Sequence, residues 1–72
     1  MYILAVRLLE WGRERGWTGG LRGIRAGERA PGRSVAFDIG PVTGFGRTTN
    51  EAVSACADQL AAEHGWPDDR GR

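Results

Sequence analysis

Residues 48–64 constrain this chain more than any other segment. Thr48-Thr49-Asn50-Glu51 has the form of a capping box. The Thr48 hydroxyl can accept from the Glu51 amide while the Glu51 carboxylate reaches back to the backbone. Behind the cap, Ala52, Ala55, Cys56, Gln59 and Leu60 recur at helical spacing and make a face of small residues. Such a face lets a helix lie close on a sheet. Gly65 supplies the stop, and Pro67 prevents the helix from resuming.

The segment before it supplies that sheet. Residues 34–39 alternate, with Val35, Phe37 and Ile39 facing one way and Ser34, Ala36 and Asp38 the other. Gly40-Pro41 breaks the strand, and residues 42–47 return from it as a second strand in a tight hairpin. A weakly specified strand is expected near residues 20–26, anchored by Leu21 and Ile24. A loop over 27–33 follows, with its turn at Ala30-Pro31-Gly32.

Residues 2–15 read as a first helix. Leu4, Leu8 and Trp11 share a stripe, Val6 and Leu9 lie beside it, and Ile3, Arg7, Glu10 and Glu14 follow the opposite face. Gly16 ends it. The order is therefore α-β-β-β-α. It predicts a two-layer α+β domain, with a three-stranded antiparallel sheet carrying both helices on one face. Residues 1–65 are expected to form the single domain and 66–72 a flexible C-terminal tail.

Length and composition bound the function. A chain of 72 residues buries only about 60% of its unfolded surface, and large catalytic clefts do not fit on it. With 40% hydrophobic and 26% charged residues it is too apolar to be read as disordered. One cysteine excludes an internal disulfide framework and a thiolate zinc site. No apolar run approaches the roughly 20 residues of a membrane helix. Arg7 within the opening apolar run, with no small-residue cleavage pattern after it, argues against a signal peptide. The expectation is a cytoplasmic domain without cofactor, metal or small-molecule substrate. Cys56 among alanines reads as a buried, inert thiol. His64, the lone histidine, reads as a capping or solvent-exposed residue. Gly44-Phe45-Gly46-Arg47-Thr48 lacks the first glycine and the lysine of a P-loop. No nucleophile–base pair is present, so the chain is not expected to be an enzyme.

Charge is divided along the chain. The net charge is +1 and all ten cations are arginine. Residues 1–36 hold seven Arg against three Glu, and residues 37–72 hold three Arg against six acids. A basic surface must come mainly from the first half. Arginine is the better fork for phosphate.

Element order and punctuation together resemble the double-stranded RNA-binding domain over roughly residues 4–62. Leu8-Leu9-Glu10 followed by Arg15-Gly16-Trp17 is similar to that family's first helix and its Gly-aromatic exit. Ala30-Pro31-Gly32-Arg33 stands at the spacing of its Gly-Pro-x-His loop before Phe37. Gly44-Phe45-Gly46-Arg47-Thr48, with Ala52, Ala55 and Ala57 behind it, resembles its Gly-x-Gly strand and capped, alanine-rich second helix. The resemblance implies contacts to A-form RNA by backbone and 2′-hydroxyl. Glu10 and Arg13 would enter one minor groove and Arg33 the next, with Arg47, Thr49 and Asn50 on the phosphates between. The family's three phosphate-binding lysines correspond here to Thr49, Asn50 and Val53, none of them basic. Two other readings compete. One is a module of the same fold that docks on a protein partner or self-associates. The other is a small phage- or plasmid-type regulator with a similar β-β-α segment.

Overall fold

The computed structural model describes residues 3–67. Its elements are α1 (Ile3–Glu14), β1 (Gly19–Gly23), a single 3-10 turn (Ala26–Glu28), β2 (Val35–Ile39), β3 (Val42–Gly46) and α2 (Thr49–His64). The strands form one antiparallel sheet in the order β1-β2-β3. The α-β-β-β-α order and the two-layer α+β arrangement are those expected from the sequence.

The hairpin is as tight as a hairpin can be. Ile39 pairs with Val42 across Gly40-Pro41. Gly40 has φ +55°, and the proline ring holds its successor near −65°. That sign pattern belongs to a type II′ turn, whose twist matches the strands. The indole of Trp17 lies on Gly40, where a Cβ would come within 2.5 Å of the ring.

One sheet face carries Leu21, Phe37, Ile39, Val42, Gly44 and Gly46, and it lies under the helices. Gly44 and Gly46 explain how close α2 comes. A Cβ on Gly44 would overlap the Ala52 carbonyl oxygen and the Cys56 amide nitrogen, and one on Gly46 would meet Glu51 and Ala52. The helix backbone therefore rests directly on the β3 backbone. Ala52, Val53, Cys56, Ala57 and Leu60 are buried along it. This face is turned from the expected one. Ala55 is only half-buried and Gln59 is exposed, because the Gln59 amide reaches round to donate to the Thr43 carbonyl at the sheet edge, 2.8 Å away.

The caps match expectation, with one amendment. The Glu51 amide donates to Thr48 Oγ1 at 3.2 Å. The Glu51 carboxylate instead accepts from the Arg47 amide, one residue earlier than a capping box requires. Gly65 (φ +77°) turns the chain back, so the Trp66 amide donates to the Leu60 carbonyl.

α1 approaches through Ala5, Leu8 and Gly12, with Leu4, Leu9 and Trp11 packed at the margin. The buried line is rotated from the expected Leu4–Leu8–Trp11 stripe, because small residues let the helix down onto Ile39. A Cβ on Gly12 would lie 2.8 Å from Ile39 Cγ2. Val6, expected beside the stripe, is 52% exposed. Trp11 stands edge-on to Trp17 and to Trp66. Trp66 is only 6% exposed, so the domain extends past residue 65 and Trp66 is part of the core. Asp68 to Arg72 of the expected tail lie outside the described residues.

A side chain at Gly44 is expected to be costly. Gly44→Ala must push α2 off the sheet, at about 1–3 kcal/mol. Gly27→Ala, which meets open space, is expected to stay within about 0.5 kcal/mol. Chemical denaturation of the two variants compares them directly. Equal stability would contradict the close approach.

Candidate nucleic-acid interface

The β1–β2 connection, residues 24–34, is held to the outer sheet face by one arginine. Arg22 projects from β1 away from the helices. It forms a bidentate pair with Glu28, at 2.6 and 2.7 Å, and a second ion pair with Asp38 on β2. Thr43 on β3 donates to the other Asp38 oxygen. Glu28 also accepts from the Arg25 amide at 3.0 Å. This closes the 3-10 turn and ends β1 at Gly23, before the expected limit of residue 26. Burial works against the Asp38 charge, but the bonds from Arg22 and Thr43 outweigh it and hold the carboxyl below its usual range. The Arg22 hydrogen bonds pull Glu28 down to about 2 and raise Arg22 above its ordinary value. These groups border an open hollow with Thr18, Gly20 and Arg25, and they spend their hydrogen bonds on one another.

With Glu28 tied to Arg22, the rest of the connection presents arginines. Arg25, Arg29 and Arg33 are all exposed. The Arg33 guanidinium lies over the Phe45 ring at 4.1 Å and donates to the Glu28 carbonyl at 3.2 Å. Gly23, Val35 and Gly46 stand in one register row at this end of the sheet, and the chain leaves Gly46 directly into Arg47 and α2. A Cβ on Gly32 would lie 3.9 Å from Arg47 Nε. Thr48 caps the helix, Thr49 is half-buried and Asn50 is exposed. Arg33, Arg47, Thr49 and Asn50 are therefore brought to one end, while Arg25 reaches over the outer sheet face and borders the hollow with Thr18 and Gly40.

The other two expected residues lie elsewhere. α1 runs toward the Gly40 turn, with Gly12 on Ile39. Glu10 borders a hollow with Arg7, Trp11, Glu14 and Trp66. Arg13 borders a different groove with Leu9, Trp17 and Gly19. The two sit on different sides of α1, toward the end of the sheet opposite Arg47. Arg25 and Arg29, exposed on the same connection, were not among the expected residues. Their signal in the sequence is the regular spacing of Arg25, Arg29 and Arg33 through an otherwise small-residue loop.

The remaining reactive groups are occupied with structure. Burial pushes the Cys56 thiol up to about 12, which leaves it protonated and unreactive at neutral pH. His64 stands edge-on to Trp17. Among the described residues no group of three His, Cys, Asp or Glu side chains could hold a metal ion, and no helix is long and apolar enough to cross a membrane. No protein-family model, curated protein or solved structure matches the chain.

The Arg22 network sets an acid response. Glu28 has an ordinary value of 4.5 and stands at about 2 in the fold. An unfolded chain therefore takes up this proton first as pH falls. The stability from Glu28 is complete above about 4.5 and is lost as pH falls toward about 2. Thermal unfolding followed over that window is expected to show a falling midpoint, and Glu28→Gln is expected to flatten the slope. An unchanged slope would mean that the pair contributes nothing.

Proposed function

We propose that this domain is a non-catalytic module that binds double-stranded RNA through its phosphate backbone. The contact surface is the end formed by residues 24–34 and the start of α2. The observation that carries the reading is the placing of Arg47 beside the Gly32 turn and Arg33, on a connection that also displays Arg25 and Arg29, with Glu28 withdrawn into its pair with Arg22. Arg33 is further pre-positioned by Phe45 and the Glu28 carbonyl. This lowers the side-chain entropy lost on binding.

Duplex RNA is read mostly by shape, phosphate and 2′-hydroxyl contacts, because its deep major groove excludes side chains. Arginines grouped on a loop beside a capped helix suit that chemistry. Asn50 and the Thr48–Thr49 turn add neutral donors next to Arg47. Glu51, bonded to the Arg47 amide, sets a negative charge at the same helix start and weakens its pull on phosphate. The arginine loop, rather than the helix, therefore carries most of the attraction. The element order and the Gly44–Thr48 motif, which resemble double-stranded RNA-binding domains, favour RNA over DNA. Glu10 and Arg13, on other parts of the surface, are not included in the contact.

Fluorescence anisotropy with an RNA duplex of about 20 base pairs, and a DNA duplex as control, tests this reading. Binding is expected to favour RNA and to weaken with salt, with a log–log slope of roughly 3.6 for four neutralised phosphates. Arg33→Ala and Arg47→Ala are each expected to lower the slope by about one. Circular dichroism of both variants checks that they fold. Failure to bind at low salt, or unchanged binding in both variants, would overturn the reading.

A further inference from the structure

The two edges of the sheet are treated differently. At the β3 edge, Gln59 from α2 covers the Thr43 carbonyl. At the other edge lies β1, Gly19-Gly20-Leu21-Arg22-Gly23, which pairs on one side with β2. The Gly40 amide donates to the Thr18 carbonyl at 2.9 Å, so residues 18 and 40 face one another as a hydrogen-bonded pair. Antiparallel ladders alternate. Gly20 and Arg22 then spend their backbone groups on β2, while Gly19, Leu21 and Gly23 turn theirs outward, the Gly23 carbonyl accepting from Arg22 Nη1 at 3.2 Å. Gly19, Leu21 and Gly23 are exposed.

The same edge carries exposed apolar surface. Leu21 is 52% exposed, and so is Val6 of α1. Leu9 borders a groove with Thr18 and Gly19. Val6 lies one helical turn before Leu9, and Leu21 two residues beyond Gly19. α1 and β1 run in opposite directions here, so both steps lead toward the same end of the sheet. A free strand edge with an apolar border is a surface that folded proteins ordinarily block.

We propose that β1 pairs with β1 of a second copy of this chain, antiparallel about a two-fold axis through Leu21, to give a continuous six-stranded sheet. The occupant is a second copy because the strand is complementary to itself in this register. Leu21 meets Leu21 of the partner copy, and Gly19 meets Gly23. The outward backbone groups form about six hydrogen bonds, the Gly23 carbonyl accepting with its second lone pair while the first holds Arg22 Nη1. On the helix side the two leucines meet and bury one another across the axis. On the outer side each Arg22 stands opposite Gly20 of the other copy. Each Arg22 is held by Glu28 and Asp38 on its own copy, so the two guanidinium groups do not face one another unpaired. Pairing uses the β1 edge and leaves the arginine-bearing loop outside it, so the inference does not depend on RNA binding.

Sedimentation equilibrium without nucleic acid tests the proposal. The wild type is expected at twice the monomer mass. Leu21→Pro removes an outward N–H and leaves the β1–β2 ladder intact, and proline is tolerated on an edge strand. It is expected to raise the dimer dissociation constant by about tenfold or more. Leu21→Arg, which keeps the N–H but charges the axis, is expected to do the same and covers the case in which the proline variant fails to fold. Leu21→Cys is expected to form an intermolecular disulfide on mild oxidation, since opposed residues of a hydrogen-bonded pair have Cα atoms about 5.5 Å apart. Cys56 is buried and does not compete. A monomeric wild type, or a dimer that survives both Leu21→Pro and Leu21→Arg, would overturn the proposal.

Discussion

The direct contact between α2 and the β3 backbone is the constraint from which the rest of this domain follows. Gly44 and Gly46 leave no side chains between the two elements, and Ala52, Cys56 and Ala57 fill the shallow space that remains. Burial in so small a chain relies on closeness rather than bulk. Dispersion between packed atoms falls away within an ångström or less, so a helix held off by one methyl group would lose much of it along its length. The same contact fixes where the helix begins. Because β3 ends at Gly46 and α2 starts at Thr49, the helix start emerges beside the β1–β2 connection. Arg47 is carried to that place by the turn between them.

A second constraint acts on the outer face, where no helix covers the sheet. Arg22, Glu28, Asp38 and Thr43 tie all three strands and the connecting loop together. Exposed ion pairs are ordinarily worth little. A bidentate arginine with two carboxylate partners is geometrically specific, and here its consequence is shape. It folds an eleven-residue connection, residues 24–34, into a fixed turn and leaves the loop's remaining charges positive. The balance of that surface is set as much by the acid removed from it as by the arginines displayed.

Local signals in the sequence were legible where they act locally. The Thr48 cap, the left-handed stops at Gly16 and Gly65 and the Gly40-Pro41 turn each depend on a few adjacent residues, and they fix the ends of both helices and the hairpin. Periodicity placed all five main elements within a few residues, but it misjudged which residues face inward. Ala5 and Gly12 are buried because they are small, while the larger Val6 is left outside. That choice belongs to the partner surface, not to the helix. Side chains reaching across long separations were not legible. Gln59 bonds a strand edge sixteen residues away, as Arg22 does Asp38, and Trp66 returns to the core only because Gly65 reverses the chain. For the candidate interface, Arg33, Arg47, Thr49 and Asn50 could be grouped from their place at a loop and a helix start. Glu10 and Arg13 could not be located without knowing how α1 lies on the sheet.

The central claim is that α2's docking on β3 creates one RNA-binding end, built from the arginine loop and the helix start. Amide chemical shifts recorded while duplex RNA is titrated into the labelled protein test it residue by residue. The account predicts that the largest changes cluster at Arg25–Ser34 and Arg47–Glu51, while the Gly40 turn and the last turns of both helices stay still. Changes centred on Glu10, Arg13 and the Trp17 groove, or none at any residue, would contradict it.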